Sequence, residues 1–299
     1  MRNILTILFT ILFVVSSNSQ NIRSIQIINS KTKQGIPYAT IKSKLVKKSI
    51  SSDKNGIADI QILESDSILV SSIGYFDLVF ASTKMKSNTV FELQEYYQTL
   101  EEVTVGKLMN IEIKQNNFKE SFSLTPNPKN QWCIATKFNI PNGISKIRLN
   151  SIKVFIRKTE HKKTNPLRLH IYKADNNGLL IEQELLHKDV VIPEMEINRK
   201  FIEFKIEDQN IIINKTIDSI FYIGIEFMNF LGKETYDSPG IKITKNSTEQ
   251  NTVFKDFFVD PEIISKWVYI SDKNISTYKS SKATHPWNMI VTISTSVIN

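Results

Sequence analysis

The chain has 299 residues, room for two domains at about 100–200 residues each. Apolar residues make up 41% and charged residues 23%, which excludes an intrinsically disordered chain. The formal charge is +8, but only six of the 38 basic residues are Arg, so forked contacts to phosphate or guanine are scarce and no nucleic-acid partner is expected. The densest basic stretches, 42–48 and 157–163, lie in or beside alternating segments and read as solvated faces.

The first residues carry a leader pattern. Arg2 is followed by an apolar run from Ile4 to Val15, and Ser17-Asn18-Ser19 closes it with small residues. This predicts a signal peptide over 1–19, cut between Ser19 and Gln20. The run is about half the roughly 20 apolar residues that a membrane-spanning helix needs, and no later segment is longer, so no transmembrane segment is expected in the mature chain. The only Cys is Cys133, which leaves no thiol after the cut for acylation and none for an internal disulfide. Export to the periplasm, the outer-membrane surface or the medium is the expectation.

From Asn21 to Val105 the apolar period is two, the mark of strands with one buried face. Ile25-Gln26-Ile27 alternates, and Ile60 and Ile62 flank an outward Gln61. Asp53-Lys54-Asn55-Gly56 lies between two such runs and predicts a hairpin.

The order of the pieces then becomes informative. An opening strand leads to Gly35-Ile36-Pro37-Tyr38-Ala39-Thr40, then to Ser52-Asp53-Lys54-Asn55-Gly56, then to Ile73-Gly74-Tyr75, and finally to Leu100-Glu101-Glu102-Val103-Thr104-Val105. This succession resembles the carboxypeptidase regulatory-like domain of Bacteroidetes envelope proteins. The resemblance implies a prealbumin-like seven-stranded β-sandwich over 21–105, acting as a structural or interaction module. In relatives the domain often precedes an outer-membrane transporter barrel. The 194 residues after Val105 are too few for a 22-stranded barrel at about 9–11 residues per strand plus connections.

Residues 106–130 mix polar residues with Pro126 and Pro128 and read as a linker. From Gln131 the two-residue period resumes: Leu167-Arg168-Leu169-His170-Ile171, Ile202-Glu203-Phe204, and Phe221-Tyr222-Ile223-Gly224-Ile225-Glu226-Phe227. A phase step at Asn150-Ser151 predicts a β-bulge, and Asp175-Asn176-Asn177-Gly178 another turn. About eight strands over 131–299 predict a second, jelly-roll-like β-sandwich, so the whole chain is expected to be all-β.

Catalytic motifs are absent from the sequence. His161, His170, His187 and His285 have Thr164, Lys173, Val190 and Asn288 three places on, so none begins the His-x-x-Glu pair of a zinc carboxypeptidase. Glycines are too dispersed for a phosphate-binding loop, and Cys133 sits in an alternating stretch that predicts a packed thiol. No catalytic residue, metal ligand or cofactor is expected. His170 falls on the polar side of its strand and is expected at solvent. The polar loop 230–240, with Tyr236 and Asp237, and the nearby Trp267 are the candidate ligand-binding residues; an indole or phenol there would stack on a sugar ring.

The sequence thus points to an exported, non-catalytic adaptor for a glycan or an envelope protein. Two alternatives stand beside it. A hydrolase would bring two carboxylates of the second domain into one cleft, about 5–10 Å apart. A structural subunit would expose an apolar patch or an unpaired edge.

Overall fold

The computed structural model describes residues 21–46, 48–63, 65–85, 89–96, 109–115, 121–124, 131–157, 163–195, 197, 200–228, 239–244, 251–256, 267–269 and 288–298. The leader with Ser19 and Gln20, the Leu100–Val105 closing segment, and Tyr236 and Asp237 of the 230–240 loop lie outside them. Among the described residues the chain is built of strands, with two three-residue 3-10 turns. Among the described residues no helix is long and apolar enough to cross a membrane.

The N-terminal sandwich contains β1 (Asn21–Asn29), β2 (Thr40–Ser43), β3 (Lys48–Ser51), β4 (Ile57–Ile62), β5 (Ser67–Ser71), β6 (Leu78–Ala81) and β7 (Thr89–Leu93). Among the described residues they form a sheet of order β4-β1-β7 and a second of order β3-β2-β5-β6. The expected seven strands in two layers are present. Alternation explains the packing: Ile25 and Ile27 from β1, Ile60 from β4, Ile41 from β2 and Val70 from β5 meet in one buried core. Burying each such side chain contributes about 1.5–3 kcal/mol.

The Asp53–Gly56 segment does not close a hairpin. Asp53 Oδ1 accepts from the amides of Asn55 and Ile57 at 2.8 and 2.9 Å, a tight side-chain-capped turn. Yet β3 pairs with β2 while β4 pairs antiparallel with β1. The turn therefore carries the chain from one layer to the other.

The C-terminal sandwich contains β8 (Met109–Gln115), β9 (Ser121–Leu124), β10 (Trp132–Asn139), β11 (Lys146–Phe155), β12 (Leu167–Ala174), β13 (Leu180–Glu184), β14 (Val191–Ile192), β15 (Phe201–Lys205), β16 (Ile212–Asn214), β17 (Ile220–Phe227), β18 (Ile241–Thr244), β19 (Thr252–Asp256), β20 (Val268–Tyr269), β21 (Asn288–Met289) and β22 (Val291–Ile298). One sheet runs β13-β12-β17-β10-β19-β20, with β14 also on β12; the facing sheet runs β15-β11-β22-β8, with β16 on β11. A short sheet, β21-β18-β9, is joined to β11 by the Ile156–Ile241 bridge. Leu169, Ile223 and Ile134 of the first sheet pack on Leu149, Val154 and Ile293 of the second. The pairing of β11 with β22 shifts register between Leu149 and Ser151, where the bulge was expected.

The 106–130 segment is more than a linker. β8 pairs along its length with β22, and β9 pairs with β18. Ile113 and Leu124 supply the reason, since both pack against the C-terminal core.

Candidate functional site

Sheet β13-β12-β17-β10-β19-β20 has two faces. Residues Leu167, Leu169 and Ile171 of β12 and Phe221, Ile223 and Ile225 of β17 point into the sandwich core. The alternate residues form the other face, and register decides which of them meet. Arg168 lies opposite Glu226, His170 opposite Gly224, and Tyr172 opposite Tyr222. Cys133 on β10 is the partner of Glu226 on one side and of Lys255 on the other.

This outer face is covered by the N-terminal sandwich. Arg168 Nη1 donates to Thr40 Oγ1 at 2.8 Å, and Nη2 donates to the carbonyl of Tyr38. Ser72 Oγ donates to Asp189 Oδ2 at 2.9 Å, and Asp189 forms an ion pair with Arg168 at 3.2 Å. Ile73 packs against the C-terminal core. Polar positions that alternation assigns to solvent are therefore buried. His170 is 8% exposed and Glu226 2%, so the expected solvent exposure of His170 is corrected by the docked sandwich above it.

Most of the buried polar groups bond to one another, although Gln131 Oε1, Arg168 Nε and Asp189 Oδ1 make no hydrogen bond. Glu226 Oε2 accepts from Arg168 Nη1 at 3.0 Å and from His170 Nε2 at 2.8 Å, and Oε1 accepts from Gln131. The other ring nitrogen, His170 Nδ1, stands 2.7 Å from Glu184 Oε2. Glu184 Oε1 accepts the amides of Ile171 and Leu185 at 2.8 and 3.1 Å. With an anionic acceptor at each ring nitrogen, both nitrogens donate and His170 is an imidazolium. Burial alone would depress its pKa, but the bonds to Glu184 and Glu226 outweigh that and raise it to about 9. Burial would lift the Glu226 carboxyl, yet the Arg168 and His170 charges hold it well below the usual carboxylate range. Burial pushes Asp189 up, opposed by Arg168 and Ser72.

Gly224 makes the arrangement fit. A methyl group there would lie 3.1 Å from His170 Cβ and from Tyr172 Cε2, so the bare backbone leaves room for both rings. Those rings stack at 5.0 Å and 9°. Burial and the surrounding carboxylates raise Cys133 well above the usual thiol range, which makes it a packing residue, as expected.

Above this floor opens a cleft of about 410 Å³ between the two sandwiches. Its N-terminal wall includes Lys42, Asp77 and Tyr96; its C-terminal wall includes Glu182, Lys255 and Trp267. Lys255 forms an ion pair with Glu182, whose Oε1 also accepts from Trp267 Nε1 at 3.1 Å. The indole packs edge-on against Tyr172 at 5.7 Å, with Lys255 Nζ 6.0 Å from its centroid. Burial lowers the pKa of Lys42, helped by the Lys255 charge, and burial raises that of Asp77 against the pull of Lys42.

Of the sequence candidates, Trp267 is in the cleft. Arg168, Glu184, Glu226, Lys42 and Lys255 went unread and His170 was assigned to solvent, because each sits in a strand whose period looks ordinary. One signal was present: Glu226 is a lone charge in the apolar run Phe221–Phe227. Among the described residues, no three His, Cys, Asp or Glu side chains are placed to hold a metal ion.

No protein-family model matches the sequence. A comparison with curated proteins finds no match either. Among solved structures, the chain is similar to the cysteine protease and lectin-like domains of Cwp84, a surface layer associated protein of Clostridium difficile. Identity is 10% and the TM-score 0.39, over 87% of this chain and 59% of that one, so this chain spans less than two thirds of its length. A candidate carbohydrate binding protein from Bacteroides uniformis matches at 11% identity and a TM-score of 0.21, over 74% of this chain and 95% of that one. The infectious bursal disease virus VP2 subviral particle matches at 9% and 0.26, over 93% and 64%. Scores of this size say nothing about what this chain binds.

Proposed function

We propose that this chain is an exported, non-catalytic binding protein of the cell envelope or its exterior, and that it takes a glycan into the cleft between its two sandwiches. The N-terminal sandwich, read as a carboxypeptidase regulatory-like domain, then supplies one wall of the site. The observation that carries the reading is the position of Trp267, a half-buried indole on the cleft wall beside an ammonium and a carboxylate. Apolar ring faces next to a few convergent polar groups suit sugars, which are apolar on their faces and hydroxylated at their rims. The cleft volume falls at the low end of ligand pockets, about 300–1,000 Å³.

A hydrolase is the second reading, because Glu184 and Glu226 converge on one side chain in the same cleft. Against it, the His170 ring occupies the space between them where a scissile bond would lie. Glu226 is also held ionised by Arg168 and His170, so it has no proton to deliver to a leaving group.

The test uses the mature chain from Gln20 on a panel of immobilised oligosaccharides, with reducing-end release followed in parallel. The proposal expects binding that Trp267→Ala abolishes, with no sugar released. Turnover lost in Glu226→Gln would establish the hydrolase instead. Capture of an envelope protein with no glycan bound would move the ligand class to protein.

A further inference from the structure

The ligand class of this cleft can be narrowed, on the reading that it holds a glycan. Its deep groups are consumed by one another: Glu226 by Arg168, His170 and Gln131, Glu184 by His170 and two backbone amides, Asp189 by Ser72 and Arg168. Beyond these, the lining carries one cation and one carboxylate from each wall, Lys42 with Asp77 on one and Lys255, ion-paired to Glu182, on the other.

We infer that the cleft selects an uncharged sugar, gripping a pair of neighbouring hydroxyls at each wall beside the indole of Trp267. A vicinal diol offers a donor and an acceptor at the spacing of such a pair. One hydroxyl donates to the carboxylate while its neighbour accepts from the ammonium. Hydrogen bonds with one charged partner are roughly twice as strong as neutral ones. The charges on each wall cancel. A uronate or sulfate would be repelled by Asp77 and Glu182 as much as Lys42 and Lys255 attract it. Glu182 is about half exposed, at 49%, while its partner Lys255 is mostly buried, at 11%. Lys42 and Lys255 line the same cleft from opposite walls.

The experiment is calorimetric titration of the mature chain with neutral gluco-, manno- and xylo-oligosaccharides and, separately, with oligogalacturonate, each at low and high salt. The expected result is binding of a neutral series, unchanged by salt. Asp77→Asn and Glu182→Gln should each weaken it about tenfold, which is about 1.4 kcal/mol, while Glu92→Gln, in an exposed pair with Lys33 that does not line the cleft, leaves it intact. Tighter binding of oligogalacturonate, fading with salt, overturns the selectivity while leaving a glycan site in place. Binding of neither series removes the glycan reading itself, and this inference with it.

Discussion

Arg168, rooted on β12 of one sandwich, donates to the backbone carbonyl of Tyr38 in the other. Tyr38 holds a left-handed backbone at φ 59°, unusual for a bulky residue and costing about 1–3 kcal/mol. The guanidinium meets that carbonyl, Thr40, Glu226 and Asp189 together. One side chain therefore ties the joint between the sandwiches to the floor of the cleft.

Removing that cation leaves the buried Glu226 and the half-buried Asp189 without their shared counter-charge. Arg168→Met is expected to lower stability by about 3–5 kcal/mol in urea unfolding. Adding Glu226→Gln to the same chain should recover part of the loss, because the two residues act on one network. A single-variant loss below about 1 kcal/mol would contradict the role given to Arg168.

The His170–Glu226 pair sets a pH dependence. His170 has its folded pKa raised from 6.5 to about 9. Its contribution is therefore complete below about 6.5 and is lost as pH climbs through 9, on the order of 3 kcal/mol in all. Glu226 is depressed on folding, so its contribution is present above its ordinary 4.5 and fades as the medium becomes more acid. Stability from this pair should peak between about pH 4.5 and 6.5. Thermal unfolding of the wild type and of His170→Gln across pH 4–10 checks it; identical alkaline slopes would rule out the imidazolium.

Gly74 brings the backbones of the two sandwiches close together. It sits at φ 86°, and a methyl group there would stand 2.4 Å from the carbonyl oxygen of His187. Gly74→Ala should prise the sandwiches apart, raising the radius of gyration in small-angle scattering. Gly143, at φ 82° with nothing within 4 Å of the added carbon, provides the control. Gly143→Ala carries the same backbone strain, about 1 kcal/mol, and should leave the scattering unchanged.

Much of this architecture could be read from the alternation of Ile, Val and Phe, which reports faithfully that a strand has a buried face. It does not report what covers the other one. Arg168 and His170 occupy the positions of solvated residues, and only the docking of the Tyr38–Thr40 segment, some 130 positions away, makes them interior. Turn chemistry has a similar limit. Asp175 caps its turn as Asp53 does, accepting the amides of Asn177 and Leu179 at 2.9 and 2.8 Å. Its turn joins the paired strands β12 and β13, whereas that of Asp53 joins strands in different sheets. A capped turn fixes a local reversal, and long-range packing decides pairing. Trp267 was legible as an aromatic near the end of a β-rich region; its partners Tyr172 and Glu182 come from strands far away in sequence.

The seat of β22 between β11 and β8 has a consequence for the order of assembly. The seven described strands of the N-terminal sandwich are all present once Leu93 has been synthesised. The other must wait for residues 291–298, and until they arrive β8 and β11 present bare edges to any passing strand. Such distant closure is slow to nucleate and invites intermolecular pairing in the interval. A nascent chain of this protein would therefore gain from a holdase that shields those edges until its last strand is in place.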